Sequence, residues 1–270
     1  MPELPEVETI ARALSTPLIG RTIMGVETDW PKHVDRPDLP ELKQRISGRR
    51  ILSVGRRGKY LLFSLSEGET LIIHLRITGH LSVVAAAAPL TPYDHTRFLL
   101  DTGDELRFRD QRKLGRVYLV KQPLEVLGKL GPEPLPPAFT MDTLRARLTR
   151  RKRAIKPLLL DQRFIAGVGN IYADEALFDA GIHPTRRADT LTETEQAALY
   201  AAIVKVLQLG IEKQGATIDN YRKPDDTLGN MQEKFMVYGR KGEPCYLCRS
   251  RVKRIVLGGR GTNFCPHCQK

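Results

Sequence analysis

The spacing of apolar residues divides the chain into a strand-rich first part and a helical second part. From Pro5 onward, apolar side chains recur at the spacing of one helical face, which predicts a helix there. Pro5 suits the first position of such a helix, where a missing N–H costs nothing. The apolar residues of this face are Val7, Ile10, Ala11 and Leu14.

Six short segments after this helix are predicted to be β-strands, because each is rich in apolar and β-branched residues and turn residues separate them. They cover residues 51–54, 60–65, 70–75, 97–101, 105–109 and 117–120. Short strands at this spacing predict an antiparallel β-sandwich or barrel.

The second part of the chain follows a proline-rich connector. Residues 131–137 contain four prolines in seven positions, which favours a stiff, extended segment. Helical spacing follows in residues 141–148, 156–161, 170–180 and 197–209, and Thr192 with Glu195 forms a capping box ahead of the last helix. The polar residues 214–234 predict a long, mobile loop of the kind that often carries function.

The charge balance adds the expectation of a polyanionic partner. The 270 residues carry a net charge of +12 with a pI near 9.7, which is typical of nucleic-acid binding, although a solvated basic surface would also explain it. Residues 139–270 carry +9 of this charge and residues 1–138 carry +3. No apolar run approaches the roughly 18 residues of a membrane span, and the N-terminus lacks a signal-peptide core, so we expect a cytoplasmic protein with no membrane partner.

The cysteines predict a metal site. All four lie in the last 26 residues as two Cys-x2-Cys pairs separated by 16 residues: Cys245, Cys248, Cys265 and Cys268. Two close thiolate pairs separated by about one hairpin are typical of tetrahedral zinc, and four ligands make the zinc structural rather than catalytic. A redox pair is the alternative, and His267 could compete as a ligand.

The N-terminus offers a candidate nucleophile. If Met1 is removed, the secondary amine of Pro2 becomes free and lies one residue from the carboxyl group of Glu3. An α-amino group titrates at roughly 7.7–8.0, so a useful fraction is neutral near neutral pH. Amines of this kind attack carbonyl-like carbons and form Schiff bases. The alternative is an inert terminus in which Pro-Glu only starts a helix.

The first ten residues, Met-Pro-Glu-Leu-Pro-Glu-Val-Glu-Thr-Ile, closely resemble the N-terminus of the formamidopyrimidine-DNA glycosylases, bacterial enzymes that excise oxidised purines. The resemblance implies that Pro2 is the nucleophile and that Glu3 acts as an acid and base. It also implies that Lys59, in Arg-Arg-Gly-Lys-Tyr, reaches phosphate and the damaged base. His74 matches a phosphate contact of the family; from the residues alone, a buried strand histidine is an equal alternative.

The resemblance extends to the second part of the chain. Gly-Val-Gly-Asn-Ile-Tyr at residues 167–172 resembles the family's helix–two-turn–helix motif, in which Asn170 binds phosphate, although Asn170 could serve only as a helix cap. Arg260 lies on a glycine-rich turn between the cysteine pairs and matches a contact to the phosphates that flank the lesion; an ordinary exposed arginine is the alternative. Lys156 is also expected to bind DNA.

Three further positions match side chains that the family inserts into the duplex. They are Ile77, Arg112 and Leu114. The family usually has methionine and phenylalanine where this chain has isoleucine and leucine, yet both remain apolar wedges of the type that unstack bases.

The expected fold is therefore α+β, in four segments. Residues 1–130 form an N-terminal helix with an antiparallel β-sandwich, residues 131–138 a proline-rich linker, residues 139–236 a helix–two-turn–helix domain with a mobile loop, and residues 237–270 a zinc-binding β-hairpin.

The expected function is that of a bifunctional DNA glycosylase and abasic-site lyase. The resemblance implies excision of 8-oxoguanine and formamidopyrimidines from double-stranded DNA, cleavage at abasic sites by β- and δ-elimination, one structural zinc ion, and a monomer associated with the nucleoid through DNA. Two alternatives remain at this point: an endonuclease VIII-like enzyme for oxidised pyrimidines, and a non-enzymatic zinc-ribbon protein that binds DNA.

Overall fold

The chain forms two compact units, as seen in a computed structural model that describes residues 1–218 and 221–270. Unit 1 consists of Met1–Lys129 and Gln214–Gly229, and unit 2 of Leu130–Lys213 and Asn230–Lys270. Residues 219 and 220 of the loop predicted at 214–234 lie outside the described residues. Within the described ranges, no helix has both the length and the apolar character that a membrane crossing requires.

In the residues that the structure describes, unit 1 combines three α-helices with nine strands. The helices are α1 (Leu4–Leu18), α2 (Leu39–Ile46) and α3 (Leu124–Leu127). The strands are β1 (Thr22–Thr28), β2 (Val34–Arg36), β3 (Arg49–Arg57), β4 (Tyr60–Leu65), β5 (Thr70–His74), β6 (Gly79–Ala85), β7 (Asp94–Leu100), β8 (Asp104–Asp110) and β9 (Arg116–Val120).

The nine strands form one sheet with the order β2-β9-β5-β4-β3-β1-β7-β8-β6. All described neighbours are antiparallel except β2 and β9. Only two residue pairs join β1 to β3, so the sheet has two halves that meet at this seam. Buried side chains of both halves and of α1 and α2 share one hydrophobic core, which confirms the expected α+β fold with a β-sandwich.

The six predicted strands correspond to β3, β4, β5, β7, β8 and β9, while β1, β2, β6 and α2 were not predicted. β1 carries Gly25 in its interior, and β2 has only three residues. Such segments have weak local signals, and pairing with neighbours decides their conformation.

Unit 2 contains four helices and a hairpin. They are α4 (Met141–Leu148), α5 (Ile155–Leu159), α6 (Asn170–Asp179), α7 (Glu193–Glu212), β10 (Lys253–Leu257) and β11 (Arg260–Phe264). The predicted capping box is confirmed: the Glu195 N–H donates to the Thr192 hydroxyl at 3.2 Å, and the Thr192 N–H donates to the Glu195 carboxylate at 2.8 Å. α7 crosses α6 closely at Gly210, where an added Cβ would lie 2.5 Å from the ring of Tyr172.

The unit boundaries differ from the four predicted segments. The proline-rich segment is part of unit 2, because the Gly131 N–H donates to the Gln162 carbonyl at 2.8 Å and the Ala166 N–H donates to the Pro132 carbonyl at 3.0 Å. The zinc hairpin also belongs to unit 2, whereas residues 214–229 belong to unit 1. The contacts of that loop therefore differ from the prediction that placed it in the helical domain.

Candidate active site, wedge loops and metal centre

The N-terminal end of α1 buries the predicted nucleophile and its carboxyl neighbour. Glu3 caps the helix, and its N–H donates to the carboxylate of Glu6 at 2.7 Å. Pro2 is buried, Glu3 is 3% exposed, and Met1 ahead of them is half exposed. Removal of Met1 would therefore place a secondary amine inside a sheltered site, beside a buried carboxyl group.

Glu6 also binds the loop at residues 214–229, the later of the two stretches that form unit 1. Its second carboxylate oxygen accepts the N–H of Ala216 at 2.8 Å. Gly215 has φ +81°, and a Cβ there would lie 2.8 Å from the Glu6 side chain, so glycine is needed at this close approach. Burial and the negative charge of Glu6 raise the pKa of Tyr221, whose hydroxyl donates to the Gln214 carbonyl at 3.1 Å. One carboxylate thus joins the predicted catalytic terminus to the loop.

A second contact holds the far side of the same loop. The His80 ring on β6 lies with Nε2 3.0 Å from the carbonyl oxygen of Lys223, to which it donates. The same carbonyl accepts the N–H of Asp226 at 2.8 Å, which closes a turn. The sequence contained a signal for Glu6, which stands three residues after the cap, but none for His80.

Lys59 lies in the two-residue turn between β3 and β4, at the end of β3 that is joined to α1. Arg56 at the end of β3 donates through Nε to Glu8 of α1 at 2.7 Å, which holds this turn beside the helix. Gly58 has φ +57°, as the turn requires. Lys59 is 5% exposed, and Tyr60 pairs across the sheet with His74. The structure therefore places Lys59 near His74, and Arg56 joins the same turn to α1.

His74 is neutral and held in one tautomer. Burial, followed by the positive charges of Arg76 and Lys59, lowers the pKa of His74 to about 3. The Arg76 N–H donates to Nδ1 at 3.0 Å, so the proton of the neutral ring is on Nε2. His74 is thus a buried strand histidine that presents an N–H donor. The predicted phosphate contact and the alternative of a buried strand histidine are therefore compatible.

The three predicted wedge residues lie on two adjacent loops that connect the halves of the sheet. Ile77 lies between β5 and β6 and is 37% exposed; Leu114 lies between β8 and β9 and is 38% exposed. Arg112, on the second loop, is exposed. Each loop contains a non-glycine residue in the left-handed region, Arg76 at φ +56° and Lys113 at φ +57°. Strain of this kind persists where surrounding contacts hold it.

A buried carboxylate, Asp110, joins these two wedge loops. It accepts the Thr78 hydroxyl at 2.5 Å from the first loop, and the N–H groups of Gly115 at 2.6 Å and Arg112 at 3.3 Å from the second. Burial raises the pKa of Asp110, but the nearby His33 ring and the hydrogen bonds from Thr78 and Gly115 outweigh this effect and lower the pKa to about 2. Asp110 is ionised at neutral pH. Sequence reasoning missed it, because an aspartate that ends a strand resembles a solvated charge.

In unit 2, the predicted phosphate contacts lie at a helix start and a hairpin tip. Asn170 is the first residue of α6, and Gly169 is the cap, so the cap is one residue earlier than predicted. The Asn170 Oδ1 is buried without a hydrogen-bond partner among the described residues. Arg260 is exposed and pairs with Leu257 across a turn of two glycines.

Lys156 occupies an interior position instead of the predicted DNA contact. It is 0% exposed, and its Nζ lies 2.6 Å from the Asp174 carboxylate, 2.9 Å from the Gly261 carbonyl and 2.8 Å from the Thr262 hydroxyl. These three partners match the three donors of an ammonium group. The prediction for Lys156 is corrected on this ground. Its ammonium group binds two residues of β11, Gly261 and Thr262, which follow Arg260 in the chain.

Asp174 and Glu175 complete this interior network. Asp174 also accepts the backbone N–H of Asn263 at 2.8 Å, and Glu175 accepts the N–H groups of residues 236–238 at 2.8 to 3.0 Å. Burial raises the pKa of both carboxyl groups, against the opposing effect of these bonds. The sequence contained one signal for this network: Asp174 and Glu175 are adjacent acidic residues among the apolar residues of α6.

The four cysteines form the predicted metal centre. Their sulfur atoms all lie within 4.8 Å of one another, with Cys245 and Cys268 at 3.9 Å and Cys248 and Cys265 at 3.4 Å. These separations are too long for disulfides, whose sulfurs lie about 2.05 Å apart. They fit the edges of a tetrahedron around zinc with Zn–S bonds of about 2.3 Å. The cluster is a four-thiolate site for one structural zinc ion, and His267 is exposed.

Comparison with known families accounts for nearly the whole chain. Residues 1–117 match the formamidopyrimidine-DNA glycosylase N-terminal domain, and residues 130–222 match the H2TH domain of the same enzymes. Residues 242–270 match the zinc finger found in FPG and IleRS. The chain belongs to the formamidopyrimidine-DNA glycosylase family.

Full-length relatives agree with this assignment. The formamidopyrimidine-DNA glycosylase of Pelotomaculum thermopropionicum is 49% identical over 100% of this chain and 99% of its own length, and that of Bacillus subtilis is 43% identical over the same shares. A complex of Lactococcus lactis FPG with Fapy-dG DNA superposes with a TM-score of 0.92 at 36% identity, covering 99% of this chain and 100% of that one. MutM with carbocyclic 8-oxo-G DNA superposes with a TM-score of 0.93 at 37% identity over both chains entirely.

As a member of this family, the chain is a DNA glycosylase with abasic-site lyase activity that acts in base excision repair. It binds DNA and carries a zinc finger. This assignment favours the glycosylase over the non-enzymatic zinc-ribbon alternative.

Proposed function

We propose that this glycosylase excises oxidised purines, 8-oxoguanine and formamidopyrimidines, from double-stranded DNA and cuts the strand at the resulting abasic site. The observation that carries the proposal is the sheltered end of α1, where Pro2 and Glu3 lie buried and Glu6 binds both this terminus and the late loop. The L. lactis relative bound to Fapy-dG DNA and MutM bound to an 8-oxo-G analogue support this substrate class over oxidised pyrimidines.

The reaction begins when the Pro2 amine, freed by removal of Met1, attacks C1′ of the target sugar. The glycosidic bond breaks, and its electron pair leaves with the base. Glu3 supplies and removes protons near the ring oxygen, so that the sugar opens to a Schiff base on Pro2. The Schiff base acidifies the C2′ proton; β-elimination then breaks the 3′ C–O bond, and δ-elimination breaks the 5′ bond. Each phosphate leaves with the electron pair of its bond.

The remaining predicted residues position the DNA. Lys59 and the Nε2–H of His74 bind phosphate near the target nucleotide, since both lie at the same end of unit 1. In unit 2, Asn170 and Arg260 bind the backbone, and the zinc hairpin supports Arg260. Ile77, Arg112 and Leu114 fill the gap left when the target nucleotide leaves the stack. One chain carries all these groups, and we infer a monomer that is held at the nucleoid by DNA.

The decisive test is to trap the covalent intermediate. Borohydride reduction during incubation with an abasic duplex should link DNA to the N-terminal peptide, as mass spectrometry can show. Lys59→Ala should still form the adduct, whereas an adduct that maps to Lys59 would overturn the assignment of Pro2. Parallel duplexes containing 8-oxoguanine or thymine glycol test the substrate class, and faster excision of thymine glycol would overturn it.

A further inference from the structure

A buried polar chain leads from the β-sandwich to Asp110 and has no part in the steps proposed above. It starts at Thr28, whose hydroxyl oxygen lies 3.0 Å from that of Thr96. The Thr96 oxygen lies 3.0 Å from Nδ1 of His33, and Nε2 of His33 lies 3.5 Å from the Asp110 carboxylate. Thr96, His33 and Asp110 are all 0% exposed, so solvent does not compete for these contacts.

Residues 30–33, which include His33, also contact the second wedge loop, the one between β8 and β9. Trp30 lies three residues before His33, and the Lys113 ammonium is 4.4 Å from the centre of its ring, which is within the range of a cation–π contact. Lys113 is the left-handed residue between Arg112 and Leu114. The segment at 30–33 therefore contacts both the buried carboxylate of this loop and its exposed side.

Thr78 connects the two wedge loops directly. Its hydroxyl donates to Asp110 at 2.5 Å and accepts the Arg112 N–H at 3.0 Å. Gly79 and Gly115 continue the close packing, because a Cβ at either would lie within 2.8 Å of the Phe108 ring. The loops thus share one anchor, although 32 residues separate Thr78 from Asp110.

We propose that Asp110 and Thr78, supported by the chain through His33 and Thr96, are positioning residues that make the two wedge loops a single rigid body. This inference rests on the proposed wedge role of Ile77, Arg112 and Leu114. Because the loops move as one, the three side chains enter the duplex in fixed relative positions. Uncoupled loops keep the same side chains but lose this pre-organisation, which matters most when a well-paired duplex must be opened.

The test uses Thr78→Val, which removes the hydroxyl at nearly constant volume, with Thr78→Ser as the matched variant that keeps it. Thr78→Val should slow single-turnover excision of 8-oxoguanine opposite cytosine about tenfold, the scale of one lost hydrogen bond to a charged group. It should also reduce the preference for cytosine over adenine opposite the lesion. Cleavage of a single-stranded oligonucleotide with a preformed abasic site needs no wedge and should stay within about twofold. Thr78→Ser should restore wild-type behaviour.

Trp30 supplies an independent spectroscopic readout, because it is the only tryptophan in the sequence. If the loops separate, acrylamide should quench Trp30 more strongly in Thr78→Val than in the wild type or in Thr78→Ser. Unchanged quenching together with an unchanged cytosine preference would overturn the coupling. Equal losses on the duplex and on the single-stranded abasic site would also overturn it, since they indicate a general loss of structure.

Ile77→Ala and Arg112→Ala, measured in parallel, separate this inference from the proposed function. If neither changes duplex excision, the wedge role itself is wrong. If both impair it while Thr78→Val does not, the wedge role stands and only the coupling fails.

Discussion

The wedge loops of unit 1 and the zinc hairpin of unit 2 each present an exposed arginine that is predicted to contact DNA, Arg112 and Arg260, and they hold it in different ways. Arg112 depends on Asp110, whose partners are mostly neutral hydroxyl and N–H donors. Arg260 depends on strand pairing, the metal centre and an interior ion pair between Lys156 and Asp174.

The two carboxylates show what this difference means. Donors around Asp110 outweigh burial and lower its pKa to about 2, whereas burial outweighs Lys156 and raises the pKa of Asp174. Hydrogen bonds from N–H and O–H donors favour the charged form of a buried carboxylate. A carboxylate that faces one buried ammonium depends on that partner, since removing either leaves an uncompensated charge.

The largest effect is therefore expected from Lys156→Ala. Leaving Asp174 buried and unpaired should lower the free energy of unfolding by about 3–5 kcal/mol, which chemical denaturation can measure. The matched control is Lys205→Ala, which breaks an exposed pair with Asp179 and should cost less than about 1 kcal/mol. Equal, small losses in the two variants would show that the interior pair does not stabilise unit 2.

The metal centre should have the next largest effect, on DNA binding. Cys248→Ser should lose zinc, as metal analysis can show, and should weaken duplex binding at least as much as Arg260→Ala. Arg260→Ala should reduce the salt slope of binding by about one unit, because one phosphate contact is lost. The double variant should resemble Cys248→Ser alone, since loss of zinc already removes the support of Arg260.

Binding curves at several salt concentrations for the three variants test this arrangement. A zinc-free Cys248→Ser protein with wild-type affinity and salt slope would show that the metal does not support Arg260.

A smaller effect is expected at the wedge arginine. The guanidinium of Arg112 can donate to O2 and N3 of an orphaned cytosine, and adenine offers a poorer match. Excision opposite cytosine should exceed excision opposite adenine, and Arg112→Ala should reduce that ratio about tenfold or bring it to one. Lys129→Ala, a change outside the wedge loops, is the control. An unchanged ratio in Arg112→Ala would place discrimination elsewhere.

The smallest effect concerns pH. Because the pKa of Asp110 is depressed in the folded chain, its stabilising contribution is complete above the ordinary aspartate value and is lost only as pH falls toward about 2. The cytosine-to-adenine ratio should therefore stay constant between about pH 5 and 8, even where absolute excision rates change with pH. A ratio that falls steadily toward pH 5 would show that the wedge anchor titrates in this range.

Local signals in the sequence were sufficient for much of the fold. The predicted strand at 60–65 coincides with β4, the predicted helix at 141–148 coincides with α4, and the Thr192–Glu195 capping box is present. Each signal lies within a few residues. The cysteine spacing likewise brought four sulfur atoms together, because two close pairs on one hairpin leave few other arrangements.

Contacts between distant residues could not be predicted in this way. Glu6 and Ala216 are 210 residues apart, so nothing local reveals that one anchors the other. Lys156 was misassigned for the same reason: a lysine near a basic run resembles an exposed cation, and its partners at 174, 261 and 262 become visible only when α5, α6 and β11 pack. The DNA-contact roles of Asn170, Arg260 and the wedge residues stay predictions.

The return of residues 214–229 to unit 1 has a consequence for how such enzymes can be recombined. A fragment that ends at residue 129 lacks the segment held by Glu6 and His80, and a fragment that begins at residue 130 carries that segment without its binding partners. Simple crossovers between related genes at this boundary would combine a loop from one parent with a helix from the other. A functional chimera would have to exchange residues 1–129 and 214–229 together, so unit 1 can be transferred between relatives only as two linked stretches.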